Sequence, residues 1–290
     1  MKKKCFTALM LAAALTLTAC GSNSADKASG AADQTQEADQ TTEAEEPTED
    51  EAEDASKTGD NKVTELAVDT PADINGQEFT LKTELAYPEE DDEIIAVTAV
   101  YGDQELKLDE SLSVDGVYEV VLDGQEYVMA ETSTYDDSGM IYVVKLDGDS
   151  LELTSTQGGH LGEMPADPAE GFPIESKIDV LGSYGGTKTY SITNDTLTAE
   201  GTVYLFEHAS DVQLTVKASI PCRLEGSNAT LNAGDVITPT SYSDDGTFSF
   251  ELQDGTAGSL TVDLDEDGIF EGSIDGTPEF DLFEYLPYAG

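Results

Sequence analysis

Val117-Tyr118-Glu119-Val120-Val121-Leu122, then Asp123-Gly124, then Gln125-Glu126-Tyr127-Val128-Met129-Ala130 is the stretch on which the fold turns. Two runs rich in β-branched and aromatic residues flank an Asp-Gly pair. Both positions of such a pair tolerate positive φ, and the resulting turn matches the twist of two paired strands. The same punctuation recurs as Asp-Gly at 115-116, 147-148, 245-246, 254-255, 267-268 and 275-276, with Asn75-Gly76 in addition. Between these turns, strands are expected at 79–85, 93–101, 117–122, 126–132, 140–146, 151–154, 187–193, 202–207, 212–219, 247–252 and 259–264. No stretch sustains helical apolar spacing over three turns, so the predicted fold class is all-β.

Within this β region two segments look alike. Gly139-Met140-Ile141-Tyr142-Val143-Val144 with Leu151-Glu152-Leu153-Thr154 has a counterpart in Gly201-Thr202-Val203-Tyr204-Leu205-Phe206 with Val212-Gln213-Leu214-Thr215, which predicts a repeated hairpin. The pattern resembles blades of bacterial propeller-like lipoprotein domains, and implies either a meander/propeller-like domain or a β-sandwich over 62–217. Farther on, Leu231-Asn232-Ala233-Gly234-Asp235-Val236-Ile237, Thr247-Phe248-Ser249-Phe250-Glu251-Leu252 and Asp254-Gly255-Thr256-Ala257-Gly258-Ser259-Leu260 resemble the small bacterial SH3-like barrels. That resemblance implies a separate SH3-like β-barrel over 218–290, a binding or packing module in which fold alone does not fix function.

Ahead of the β region the chain has a different character. Lys2-Lys3-Lys4 precedes an uncharged, Ala- and Leu-rich run that ends in small residues, the pattern of a secretory signal peptide over 1–19. Leu17-Thr18-Ala19-Cys20 followed by Gly21 resembles the lipobox of bacterial, Gram-positive-type surface lipoproteins. The resemblance implies lipidation at Cys20, and two acyl chains give stable anchoring where one gives only marginal binding. Residues 21–61 then carry 13 Asp or Glu against two Lys and almost no large apolar side chains. Such a segment cannot bury enough surface to offset its ordering entropy, so a disordered acidic tether is expected over 20–61. Fully extended, it would reach about 140 Å.

The balance of 13 basic to 61 acidic residues excludes one class of partner. Nucleic-acid binding requires clustered Lys or Arg, and Arg223 is the sole arginine. The same charge repels anionic lipid headgroups, which leaves the lipid on Cys20 as the membrane partner, and it concentrates cations around the chain. Once Cys5 is removed with the signal and Cys20 is modified, Cys222 has no intrachain partner and reads as a small buried hydrophobe.

Motifs that carry chemistry are few. In Asp263-Leu264-Asp265-Glu266-Asp267-Gly268-Ile269-Phe270-Glu271, oxygens of Asp263, Asp265, Asp267 and Glu271 stand at loop positions 1, 3, 5 and 9, with the Ile269 carbonyl at 7 and a glycine at 6. That is the arrangement of a calcium loop, and it resembles the short calcium loops of FG-GAP-type propeller repeats. It departs from an EF-hand at position 12, which is Ile274, and an acidic hairpin turn is the alternative. His160, in Gly158-Gly159-His160, and His208 sit in no HExxH or Cys/His spacing, so neither is expected to bind zinc. There is no GxSxG elbow and no phosphate loop with Lys. The tyrosines read first as strand residues against neighbours and second as sugar-stacking faces. The terminus 280–290 reads as packing onto the last barrel, or as a partner-binding peptide if exposed.

These features together predict a non-catalytic, lipid-anchored protein on the outer face of the cell membrane, with calcium the one cofactor suggested and an envelope component, a sugar or a protein as ligand. A secreted hydrolase using paired carboxylates, and a structural subunit of an envelope complex, are the alternatives.

Overall fold

In the computed structural model, Leu122 pairs directly with Gln125 across Asp123-Gly124, at φ 51° and 77°, so the hairpin has the register that the sequence demands. The structure describes residues 61–90, 93–134, 138–207, 211–264 and 272–289. All of them fall within one unit, Asp54–Gly290. The signal segment, Cys20 and the tether up to residue 60 lie outside the described residues.

The chain is all-β and antiparallel throughout. Its first half contributes β1 (Lys62–Glu65), β2 (Ala72–Ile74), β3 (Gln77–Leu85), β4 (Ile95–Tyr101), β5 (Gln104–Ser111), β6 (Ser113–Leu122), β7 (Gln125–Ser133), β8 (Gly139–Asp147) and β9 (Ser150–Gly158). These form two sheets, a meander in the order β2-β3-β4-β5 and a second sheet in the order β1-β6-β7-β8-β9. The rest comprises β10 (His160–Leu161), β11 (Phe172–Asp179), β12 (Ser183–Thr193), β13 (Thr196–Ala199), β14 (Val203–Phe206), β15 (Leu214–Thr215), β16 (Ile220–Leu224), β17 (Ser227–Leu231), β18 (Val236–Ser243), β19 (Thr247–Leu252), β20 (Ala257–Thr261), β21 (Ser273–Ile274) and β22 (Thr277–Pro278). A 3₁₀ turn at Pro168–Glu170 precedes β11, and a single helical turn, α1 (Glu279–Leu282), follows β22.

The second sheet lies between the other two, which explains its composition. On β7, Val128 and Ala130 face the first sheet and pack with Phe79, Leu81, Val97 and Tyr101. Tyr127 and Met129 point the other way, and pack with Phe172, Ile174 and Tyr190 of the large sheet. A strand covered on both faces has no solvent side on which to place polar residues, so it reads as a near-continuous apolar run rather than an alternating one. Val128, Met129, Ala130, Val143 and Val144 are accordingly all fully buried.

The large sheet runs β10-β11-β12-β14-β18-β19-β20-β16-β17, with β13 added to β12 and β15 to β18. The predicted SH3-like barrel does not close. β17 pairs only with β16, and β18 spends its other edge on β14 and β15 rather than meeting β17 to complete a ring. Hydrogen bonding therefore crosses the expected boundary between 217 and 218. The second copy of the predicted repeat also differs: β8 and β9 form a hairpin, whereas β14 and β15 each pair with β18 and not with one another. Phe248, Phe250, Ile237 and Leu214 form the core on this side, and Tyr184 stacks on Phe206 with ring centroids 4.4 Å apart. The C-terminal segment packs here through Leu282, Phe283 and Leu286, while Phe280 and Tyr285 are exposed.

Five of the twelve tyrosines are buried strand residues: Tyr101, Tyr127, Tyr142, Tyr184 and Tyr190. The Tyr142 hydroxyl donates to Asp109 Oδ2 at 3.1 Å, and burial, reinforced by the Asp109 charge, pushes its pKa up to about 12. Below the ordinary tyrosine value near 10 the phenol is neutral folded and unfolded, so its full contribution is present. Above that value the unfolded chain ionises first, and the contribution is lost as pH rises to about 12. Urea midpoints should hold steady to about pH 9 and fall by about pH 11, with a shallower fall in Tyr142→Phe.

Candidate functional site

One cluster of chemically versatile side chains forms where the central sheet meets the large one. Glu131, on β7, faces the large sheet on the same side as Met129, and only 7% of it is exposed. Its cross-strand partner is Gly116, whose missing side chain admits the Tyr118 ring: a Cβ there would lie 2.7 Å from Tyr118 Cε2. The β6–β7 register shifts between Val114 and Gly116, making Asp115 the extra residue of a bulge. A bulge bends its strand and re-aims a side chain. Here Asp115 comes to lie beside Ser133, the next residue on Glu131's face: Ser133 Oγ donates to Asp115 Oδ2, and Ser113 Oγ donates to Oδ1 at 2.8 Å.

The third member arrives from the next layer. β9 ends at Gly158, paired to Met140 of β8, and two residues later His160 pairs with Glu175 on β11 of the large sheet. The chain therefore changes sheets at Gly159. A Cβ there would lie 2.5 Å from the Glu175 carbonyl oxygen, and the residue has φ 125°. Gly139 supports the crossing from beneath, because a Cβ on it would lie 2.2 Å from the Gly159 oxygen and 2.7 Å from His160 Nδ1. These two glycines bring the imidazole down onto the central sheet, where His160 Nδ1 lies 2.9 Å from Glu131 Oε1.

One ligand atom from each of Asp115, Glu131 and His160 lies within 4.8 Å of the others. Burial holds the Glu131 carboxyl above the ordinary glutamate range, opposed by the His160 and Leu161 hydrogen bonds that favour its charged form. Asp115 is exposed and His160 half-buried, so the cluster opens to solvent on one side. Its donors, two carboxylates and an imidazole, can share a proton or hold a cation.

The predicted residues fare differently. Asp263 bridges to Ser273 beyond β20, while Asp265, Asp267, Ile269 and Glu271 lie outside the described residues, so the calcium loop is not seen. Cys222 is buried on β16, and burial raises its thiol pKa, consistent with a packing role. His160 is the residue that sequence spacing set aside. Asp115-Gly116, read as a turn, instead forms the bulge that supplies a carboxylate. No local motif announces either role; the one signal in the sequence was the pair of glycines directly before His160, which marks a close approach of backbone to backbone.

The fold and cluster define the class: an all-β protein of stacked antiparallel sheets with a histidine–carboxylate cluster at a sheet-to-sheet crossing. No family model, curated protein or solved structure matches the chain.

Proposed function

We propose that this is a non-catalytic extracytoplasmic lipoprotein, held to the outer face of a bacterial membrane through Cys20 and presenting an acidic β body at the end of a charged tether. The observation that carries the reading is Leu17-Thr18-Ala19-Cys20-Gly21 behind an uncharged apolar run, followed by 41 residues almost free of large apolar side chains. The first described strand agrees with it. β1 begins at Lys62, the position where the acidic composition gives way to alternating apolar residues. With a net charge of −48 over the full sequence, the chain repels nucleic acid and anionic headgroups. Its ligands would then be cationic or neutral: a cation-bearing envelope component, a sugar or a protein.

The hydrolase alternative draws less support. Asp115 and Glu131 are neighbouring carboxylates, but the oxygens of Asp115 accept from Ser113 and Ser133, and Glu131 Oε1 is engaged by His160. Neither residue lines the surface depressions around 163–173 and 221–275. Burial of five tyrosines in sheet packing also removes those rings as sugar-stacking faces.

Radiolabelled palmitate fed to a bacterial host expressing the chain should enter the protein, and Cys20→Ala should abolish the label and release the protein from the membrane fraction. A parent that takes up no label, or a Cys20→Ala variant that stays membrane-bound, overturns the reading.

A further inference from the structure

We propose that Asp115, Glu131 and His160 form a binding site for a divalent transition-metal ion, zinc being the ion that best suits the donors, and that the bound ion pins the central sheet to the large one. The set combines one imidazole nitrogen and two carboxylate oxygens, three protein ligands of the kinds zinc takes, with a solvent-facing side where water completes the shell. Zinc–ligand bonds of about 2.0–2.2 Å place tetrahedral ligand atoms roughly 3.3 Å apart. The three donors already lie within 4.8 Å of one another, so adjustments of at most about 1.5 Å, including a slight opening of the 2.9 Å His160–Glu131 pair, bring them to that spacing. The imidazole argues against calcium or magnesium, which prefer all-oxygen shells.

The surroundings are those of a supported site rather than a chance meeting of surface acids. Glu131 is more than nine-tenths buried on a strand whose neighbours are all packed. Ser113 and Ser133 orient Asp115 from behind, the kind of outer hydrogen bond that fixes a ligating carboxylate. His160 is held by the two glycines whose missing Cβ atoms let the strands cross. Two carboxylates converge beside one imidazole in a partly buried setting, and a divalent ion balances that charge more completely than a single proton does. The ligands come from β6 and β7 of one sheet and β10 of another, so an ion here adds to a seam already made by apolar packing and by Asp195, which accepts from Tyr127 and pairs with Lys145 at 2.8 Å.

The test uses the full chain in detergent, stripped with EDTA and titrated with zinc chloride in excess magnesium, which occupies the diffuse carboxylate sites. The melting temperature of the parent should rise and saturate at one equivalent of zinc. Substitution of the other histidine, His208→Gln, should leave that rise intact, whereas His160→Gln should remove it. Asp115→Asn, a near-isosteric change at an exposed side chain, should weaken apparent zinc affinity tenfold or more; it provides the answer should His160→Gln fail to fold. Zinc without effect on the parent, a rise unchanged in Asp115→Asn, or a rise produced by calcium and not by zinc each overturns the proposal. None of these outcomes bears on the lipid at Cys20.

Discussion

Phe172→Ala should cost the β body about 3–5 kcal/mol, read as a drop in urea midpoint at unchanged slope. Phe172 is fully buried at the start of β11, opposite Tyr190, in the cluster that packs the large sheet against Met129, Ile141 and Val143 of the central one. Truncation removes the ring from an interface in which neither sheet can advance to fill the space, because each is fixed by its own strand ladder. Interiors collapse only partly around such a loss, so the cavity adds to the lost transfer free energy. Phe280→Ala supplies the comparison. That ring is 51% exposed on α1, and its removal should shift stability by no more than about 0.5 kcal/mol.

Gly159→Ala should destabilise by about 3 kcal/mol or more, while Gly158→Ala beside it should cost under about 1 kcal/mol. Gly159 combines φ 125°, a conformation L side chains rarely adopt, with a Cβ position 2.5 Å from the Glu175 oxygen and 2.8 Å from Ile174 Cγ2. A methyl group there pushes β10 away from β11. At Gly158 nothing lies within 4 Å of the added atom. Two adjacent alanines with such unequal thermal melts would locate the point at which the chain leaves the central sheet. The same Gly159→Ala variant should lose the zinc response, because His160 is carried on the displaced segment.

The parts of the fold that could be read from the sequence are those specified locally. Asp123-Gly124 and Asn75-Gly76 each join strands in register with two residues at positive φ, and the apolar runs they separate are β6, β7 and β3. β11 and β18 went unread because each carries a proline and polar residues, Glu175 and Ser176 in one and Thr238, Thr240 and Ser241 in the other, in place of an apolar run; β18 accommodates Pro239 at a register shift. Asp115-Gly116 shows the limit of turn signals. The pairing of β6 along the whole length of β7 absorbs the pair as a bulge, and long-range ladder energy outweighs a local preference. Placing the barrel failed for a related reason: nothing within 218–290 reveals that β14 and β15, outside it, take the free edge of β18. The candidate site was the least legible feature. His160 meets Glu131, 29 residues earlier, through layer packing rather than through any spacing along a strand.

The strand that opens the body has a mechanical consequence. β1 contributes four residues at the edge of the central sheet, held by its ladder to β6, by the Lys62–Glu119 ion pair at 3.1 Å and by the Leu66 amide to the Val117 carbonyl. Under the proposed anchoring through Cys20, drag on the body would reach the described fold at Lys62 and fall first on this short peripheral strand. β1 would then peel first while the doubly covered strands behind it keep their register, a sacrificial link ahead of the stack.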